Sequence, residues 1–456
     1  MTIASAMAGS PDQSLPDRHE KWSDLKAAYR FFSNPKITPE RIQEAHRQQV
    51  RAACVSHTRI LAVQDGSELD YTSHHAVAGL GFVGGDTGRG LLQHSTPAVT
   101  TDGRLLGVLH QIWWKRVRTP KGETLRQRQA RETEADLWAK SIRAVGAIGD
   151  SRRVIHVCDR GGDDFGTMQA AHDEGTGFLI RARHDRYVQD SADHLWSLLA
   201  GQPIGGYRAV EVPARPAKGK TPAQPGRRAK LAVRWTKVEL CPPRNDPRYR
   251  TPLSVFAVHV REVDPLLGVE PIEWMLLTSE AVETDNDAQT IVTWYTFRWT
   301  IEEWHKTEKT GCRLETAQLK SADALVRLAA LTAVVAVRLI QLRDLAQSAL
   351  SAPRDVSAGS PASPPGVPAA SESPAALQGM VPDPWITVVS RLARCAPTAL
   401  TPRLFWLTLA KRGGYLGRRC DTPPGWQTIW RGWMKIMMLV EGFNIHQEII
   451  REQSCG

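Results

Sequence analysis

RILAVQD, residues 59–65, and RVIHVCD, residues 153–159, are two short apolar runs that each end in an aspartate. Runs of this length and composition predict buried strands. If the two strands are neighbours in one sheet, Asp65 and Asp159 emerge together at one edge. Either aspartate alone says little, because a carboxylate at a strand end is usually a turn or cap residue. Between them, STPAVTTDGRLLGVLHQIWWKR (residues 95–116) reads as a hairpin turning at Asp102 and Gly103. ARETEADLWAKSIRAVG (130–146) reads as a charged helix and GFLIRAR (177–183) as a fifth strand. The predicted order is β-β-β-α-β-α-β, an α/β core.

Working outward, residues 21–51 read as a basic helical pair, with Thr38 capping a helix that opens at Pro39. Such a pair suits either DNA contact or an ordinary solvated surface. Residues 201–285 are rich in Pro, Gly, Lys and Arg and carry strand-like pieces, LAVRWTKVEL, SVFAVHVREV and EWMLLTSE, which predicts a β-rich insertion. Its cations Arg215, Lys218, Lys220, Arg227, Arg228 and Lys230 suit DNA binding without sequence preference. A long Ala/Leu helix is predicted from about residue 322 to 347. Residues 351–383 have too few large apolar side chains to bury a core and read as a Pro/Ser/Ala-rich linker. Residues 384–456 read as a final helical unit in which Trp426, Trp430 and Trp433 recur at helical spacing.

A chain of 456 residues divides naturally into several units, and its net charge of +10 favours a polyanionic partner. The most apolar stretch, ALVRLAALTAVVAVRLIQL, is interrupted by Arg327 and Arg338, so no membrane span is expected. The N-terminus lacks the pattern of a secretory signal, which predicts a cytoplasmic protein associated with the nucleoid. Seven scattered cysteines without a CxxC pair argue against disulfides and structural zinc.

The row YTFRWTIEEWHKTEK, residues 295–309, supplies a third acidic group. On one helix, Tyr295, Arg298, Glu302 and Lys309 share a face, with His305 and Lys306 on the same stripe. A carboxylate among cations suits a metal-assisted phosphoryl-transfer site. Its bland counterpart is a ladder from Arg298 through Glu302 to Lys306 on a solvated helix. Two strand-end aspartates, a basic β insertion and a helix-borne glutamate, in that order, describe a ribonuclease H-like core chelating two divalent ions.

The chain resembles the DDE transposases of insertion-sequence family four, in particular the subgroup typified by the transposon-five transposase. Its Y-x2-R-x3-E-x6-K signature is present as Tyr295, Arg298, Glu302 and Lys309, with supporting likeness at VCDR, GVLHQIWWKR, EWMLLTSE and VAVRLIQLR. The similarity runs from about Leu15 to Gly442. The resemblance implies a catalytic and metal-binding triad of Asp65, Asp159 and Glu302 with two Mg2+ ions, Mn2+ being able to substitute. It implies that Tyr295, Arg298 and Lys309 grip backbone phosphates, joined by His305, Lys306, Arg181 and Arg183; Arg186 extends the same basic surface. Trp274 and Trp299 match positions that hold an extrahelical base during a hairpin step, although a core aromatic is the ordinary reading of Trp274. The implied domains are an N-terminal DNA-contacting region (1–52), shortened relative to the family; a catalytic core (53–350) interrupted by the insertion (201–285); the linker (351–383); and a dimerisation region (384–456). Gly66, Ser67 and Gly161 depart from the Thr-Thr and Glu that the family tends to carry.

The implied function is cut-and-paste DNA transposition by a homodimer on paired terminal inverted repeats, cleaving through a hairpin and joining the ends to target DNA. A shortened relative that dimerises with a full-length transposase and inhibits it is the alternative. A carboxylate-pair hydrolase acting on glycans is disfavoured by the cations around Glu302.

Overall fold

The computed structural model describes residues 3–454 apart from 86, 125–126, 128–130, 150–152, 218–222, 245, 247, 352–376, 378–380 and 419–420. Most of the expected linker, together with Lys218 and Lys220, lies outside the described residues. The chain forms two compact units. The larger comprises Lys26–Lys309 and Leu314–Val334; the smaller comprises Met1–Leu25, Thr310–Arg313 and Val335–Gly456.

The chain opens with helices α1 (Ile3–Gly9), α2 (Trp22–Ser33) and α3 (Pro39–Cys54). Thr38 caps α3 by accepting from the Arg41 amide, and Pro39 occupies its first turn, where a missing N–H costs nothing. Strands β1 (Arg59–Val63), β2 (Asp65–Asp70), β3 (Gly81–Val83), β4 (Gly88–Thr100) and β5 (Leu105–Trp114) follow. The β4–β5 turn uses Gly103 at φ +90°, a backbone conformation that glycine adopts without penalty. Next come α4 (Asp136–Val145), β6 (Arg153–Cys158), α5 (Phe165–Asp173), β7 (Gly177–Arg181) and α6 (Leu195–Ala200). Strands β8 (Gly206–Val212), β9 (Arg227–Leu240), β10 (Leu253–Val263) and β11 (Glu273–Thr278) precede α7 (Asp285–Thr296), α8 (Trp299–Lys306) and α9 (Ala322–Ser351). The last helices are α10 (Asp383–Ala393), α11 (Pro402–Arg412) and α12 (Trp426–Ser454).

Among the described residues, all eleven strands join one sheet, with the path β2-β4-β1-β6-β7-β11-β10-β9-β8 and with β3 and β5 also on β4. The expected insertion therefore extends the sheet, because β11 pairs antiparallel with β7 through Leu277 and Ile180. β1 runs antiparallel to β4 and parallel to β6, and β6 runs parallel to β7. β1 and β2 keep one continuous register along β4, from Ile60 opposite Thr100 to Asp65 opposite Ser95. Asp65 thus does not end the strand, as its sequence suggested. It marks where pairing with β6 stops while pairing with β4 continues.

The apolar core between α4, α5, α6 and the sheet gathers Trp138, Ile142, Phe165, Met168, Leu195 and Leu277. Helix α9 is long and apolar enough to cross a membrane, yet 67% of its apolar window is buried within the protein. Arg327, one of its two interrupting arginines, donates to the carbonyls of Ile37 and Phe32. In the smaller unit, α10, α11 and α12 enclose Phe405, Leu409, Ile429 and Ile436. Gly413 and Gly432 permit a close crossing there, since a Cβ on either would lie under 2 Å from a backbone carbonyl. Trp433 packs on Trp385 and Trp406 inside the unit.

Candidate active site

Val63 on β1 lies opposite Val157 on β6, so Asp65 and Asp159, two residues further along each chain, leave adjacent parallel strands at the same end. Asp65 accepts from the Gly66 amide (2.8 Å) and Asp159 from the Gly161 amide (2.7 Å). Burial raises the Asp65 pKa to about 7, and the Asp159 charge and more weakly Glu302 push the same way; Arg298 and the Gly66 amide oppose them.

The helix bearing Glu302 is not continuous. Helix α7 ends at Thr296, a turn through Phe297 and Arg298 follows, and α8 begins at Trp299. This break places Arg298 between two acids: Nη1 donates to Asp65 (3.2 Å) and Nη2 to Glu302 (3.0 Å). Burial works against the guanidinium charge, but Asp65, Tyr295 and Glu302 outweigh it and raise its pKa. Glu302 is the more exposed acid, at 43% of its side chain against 18% for Asp65.

Tyr295 closes α7, buried edge-on against Trp274 of β11 with ring centroids 5.2 Å apart. Arg181 donates to the Glu273 carbonyl (2.9 Å), and burial raises the Tyr295 pKa while the Arg298 and Arg181 charges pull it down. Arg160, Arg181, Arg183, Trp196, Glu273 and Trp274 line a cavity of about 520 Å³. Trp299 is 63% exposed and lies beside the Arg298 guanidinium, 5.5 Å from ring centre to Cζ. Lys306 is exposed one turn after Glu302. Lys309 falls in a π-turn, Thr307–Gly311, where its ammonium donates to the Glu68 carbonyl (2.6 Å) and pairs with Glu315 (3.2 Å).

Two expected contacts are corrected. His305 is buried and its pKa is pushed down to about 3 by burial, so a neutral ring replaces the expected phosphate-binding cation. Arg186 is likewise turned inward: its Nη1 lies 2.6 Å from Asp163 Oδ1 as an ionic contact, and its Nη2 donates to the Asp163 carbonyl (3.0 Å). Asp163 Oδ2 also accepts from the Arg183 and His184 amides. This buried carboxylate ties the turn after Asp159 to the loop carrying Arg183. Sequence reading passed over Asp163, Arg160, Trp196 and Glu308. Arg160 directly follows Asp159, which was a usable signal; the others carry no local pattern.

Among the described residues, no three His, Cys, Asp or Glu side chains converge closely enough to hold a metal ion. Arg298 instead stands between Asp65 and Glu302. By donor chemistry alone three carboxylates, hard oxygen ligands, would suit magnesium, and a divalent cation would relieve the Asp159 repulsion that, after burial, raises the Asp65 pKa.

Residues 1–37 match the family described as Transposase DNA-binding. The match supports a transposase. It also supports DNA as the partner. A solved structure titled "Cryo-EM structure of piggyBac transposase synaptic complex with hairpin DNA (SNHP)" is similar at 11% identity and a TM-score of 0.34, over 74% of this chain. This chain spans 64% of the length of that one.

Proposed function

We propose that the chain is a DDE transposase of the cut-and-paste type, of the insertion-sequence family four and transposon-five kind, working as a homodimer on paired DNA ends. One observation carries this reading: two aspartates leave adjacent parallel strands together, and one arginine links the first of them to a glutamate on the facing helix. The strand order β5-β4-β1-β6-β7, antiparallel on one side of β1 and parallel on the other, supports a ribonuclease H-like core.

Asp65, Asp159 and Glu302 would hold two magnesium ions, which would supply an activated water and stabilise the leaving 3′ oxygen. Arg298 neutralises the acids until DNA arrives, and its forked guanidinium can then grip a phosphate. Arg181 and Trp274 line one cavity, with Tyr295 edge-on against Trp274, and an extrahelical base would stack there during hairpin formation. Lys306, Arg183 and Trp299 present exposed groups to the DNA backbone and bases. Helix α12 exposes Met438, Leu439, Ile445, Ile449 and Ile450, an apolar stripe suited to a second copy. The protein would act in the cytoplasm at the nucleoid.

The test is cleavage of DNA carrying the element's terminal repeats, in Mg2+, by the protein and by Asp65→Asn. Nicking by the unaltered protein and none by the variant is expected; equal rates would refute the assignment. Terminal-repeat binding in a gel shift separates this reading from that of an inhibitor.

A further inference from the structure

On the opposite face of the strands from the two aspartates lies a buried group that the reaction does not use. Paired residues share a face, and alternate residues along a strand share it too. His156 pairs with Ala62 and His94 with Gly66, so Gln64, His94 and His156 occupy one face while Asp65 takes the other. All three are essentially excluded from solvent. Gln64 Nε2 donates to His156 Nδ1 (2.9 Å), which leaves that nitrogen unprotonated; His94 Nε2 donates to the Gln64 carbonyl oxygen (3.0 Å). The His94 ring stands edge-on to Trp138 of α4, with centroids 4.7 Å apart and planes at 78°.

Trp138 then reaches the second aspartate. A Cβ on Gly161 would lie 3.0 Å from its Cζ2, and one on Gly162 would lie 2.9 Å from its Cε3. The indole therefore lies against the turn whose Gly161 amide holds the Asp159 carboxylate and whose Gly162 amide bonds the Asp159 carbonyl. At the other end, Gln64 precedes Asp65, and His94 faces Gly66, whose amide holds the Asp65 carboxylate. One rigid chain of contacts touches the backbone on which each carboxylate depends.

We infer that Gln64, His94 and Trp138 form a positioning wedge that fixes the spacing of Asp65 and Asp159 from behind. None of the three touches the reacting atoms. The inference rests on the transposase reading above. Loosening the wedge should let the two strand ends drift, which weakens shared cation binding and slows chemistry without disturbing the DNA-contacting surface.

The experiment uses the full chain with His94→Phe, Trp138→Phe and the hydrogen-bonding His94→Gln, each checked for folding by circular dichroism. Ca2+, which binds carboxylates without supporting turnover, is titrated calorimetrically, and single-turnover cleavage is measured at saturating DNA. Changes behind metal ligands commonly alter affinity or rate by about 10- to 100-fold. His94→Phe and Trp138→Phe should lose Ca2+ affinity and cleavage rate by that order while DNA affinity holds, and His94→Gln should recover most of both. Folded variants with unaltered Ca2+ affinity and rate would overturn the wedge. Should His94→Phe fail to fold, Trp138→Phe against His94→Gln gives the same decision. If the unaltered protein neither cleaves DNA nor binds Ca2+, the transposase reading fails and the wedge falls with it; if only the variants match it, the wedge alone fails.

Discussion

Two of the proposed catalytic acids ride on strands and the third on a helix, and the two halves of the site are secured differently. In the strand half, position follows from register: once Val63 lies opposite Val157, Asp65 and Asp159 emerge together. The helix half depends on two local irregularities, the turn at Phe297–Arg298 and the π-turn at Thr307–Gly311. Strand pairing is cooperative and tolerates little slippage, whereas a turn can be re-set by a few side chains. The strand half should therefore be the rigid partner, and the helix half the adjustable one.

The largest expected effect tests the strand half. Asp159→Asn should reduce DNA cleavage about a thousandfold or more, equivalent to ~4 kcal/mol in the barrier, with DNA binding retained. Next, Asp163→Ala removes the buried acid that anchors the Asp159 turn and leaves the half-buried Arg186 charge without its partner. A loss of roughly 3–5 kcal/mol is expected in urea unfolding; a loss under 1 kcal/mol would show that the turn is held by other contacts.

The helix half has its own buried acid. Glu308 accepts from Gln93 Nε2 (2.6 Å), and Trp113 in turn donates to Gln93 (3.1 Å). Burial pushes the Glu308 pKa from 4.5 up to about 8, against the pull of Gln93 and Lys309. The folded protein thus keeps a proton that the unfolded chain releases above pH 4.5. The stability tied to this group is complete below that pH and declines as pH rises toward about 8, by at most ~1.4 kcal/mol per pH unit. Glu308→Gln has no such proton to lose, so its stability between pH 5 and 8 should fall less steeply than that of the unaltered protein. Parallel profiles in thermal denaturation would mean that Glu308 is already ionised in the fold.

The smallest effect belongs to the exposed rim. Lys306→Ala should weaken DNA binding severalfold, evenly across sequences, and lower the salt dependence by about one unit of slope. Unchanged salt dependence would remove Lys306 from the phosphate contacts.

Much of the strand half was legible. RILAVQ and RVIHVC are apolar runs short enough to be strands, and Asp102-Gly103 marked the β4–β5 turn. The helix half was read as one face because the intervals of three, four and seven fit an unbroken helix. Nothing in YTFRWTIEEWHKTEK announces a break, which is why Arg298 between Asp65 and Glu302 was not foreseen. His305 and Arg186 were read as surface cations because charge in sequence is silent on burial; the fold buries one as a neutral ring and pairs the other with Asp163.

Local composition by itself determined where most strands and helices form, how α3 begins, that the chain is basic, and which acids stand at the ends of apolar runs. These depend on neighbours within a few residues. Only the tertiary structure decided that the β-rich segment extends the same sheet, that Arg298 links two distant acids, and that a His–Gln–Trp group lies behind the aspartates. Each of those joins residues tens to hundreds of positions apart, and such contacts are fixed by packing and by the need to pair every buried polar group, which no local pattern records.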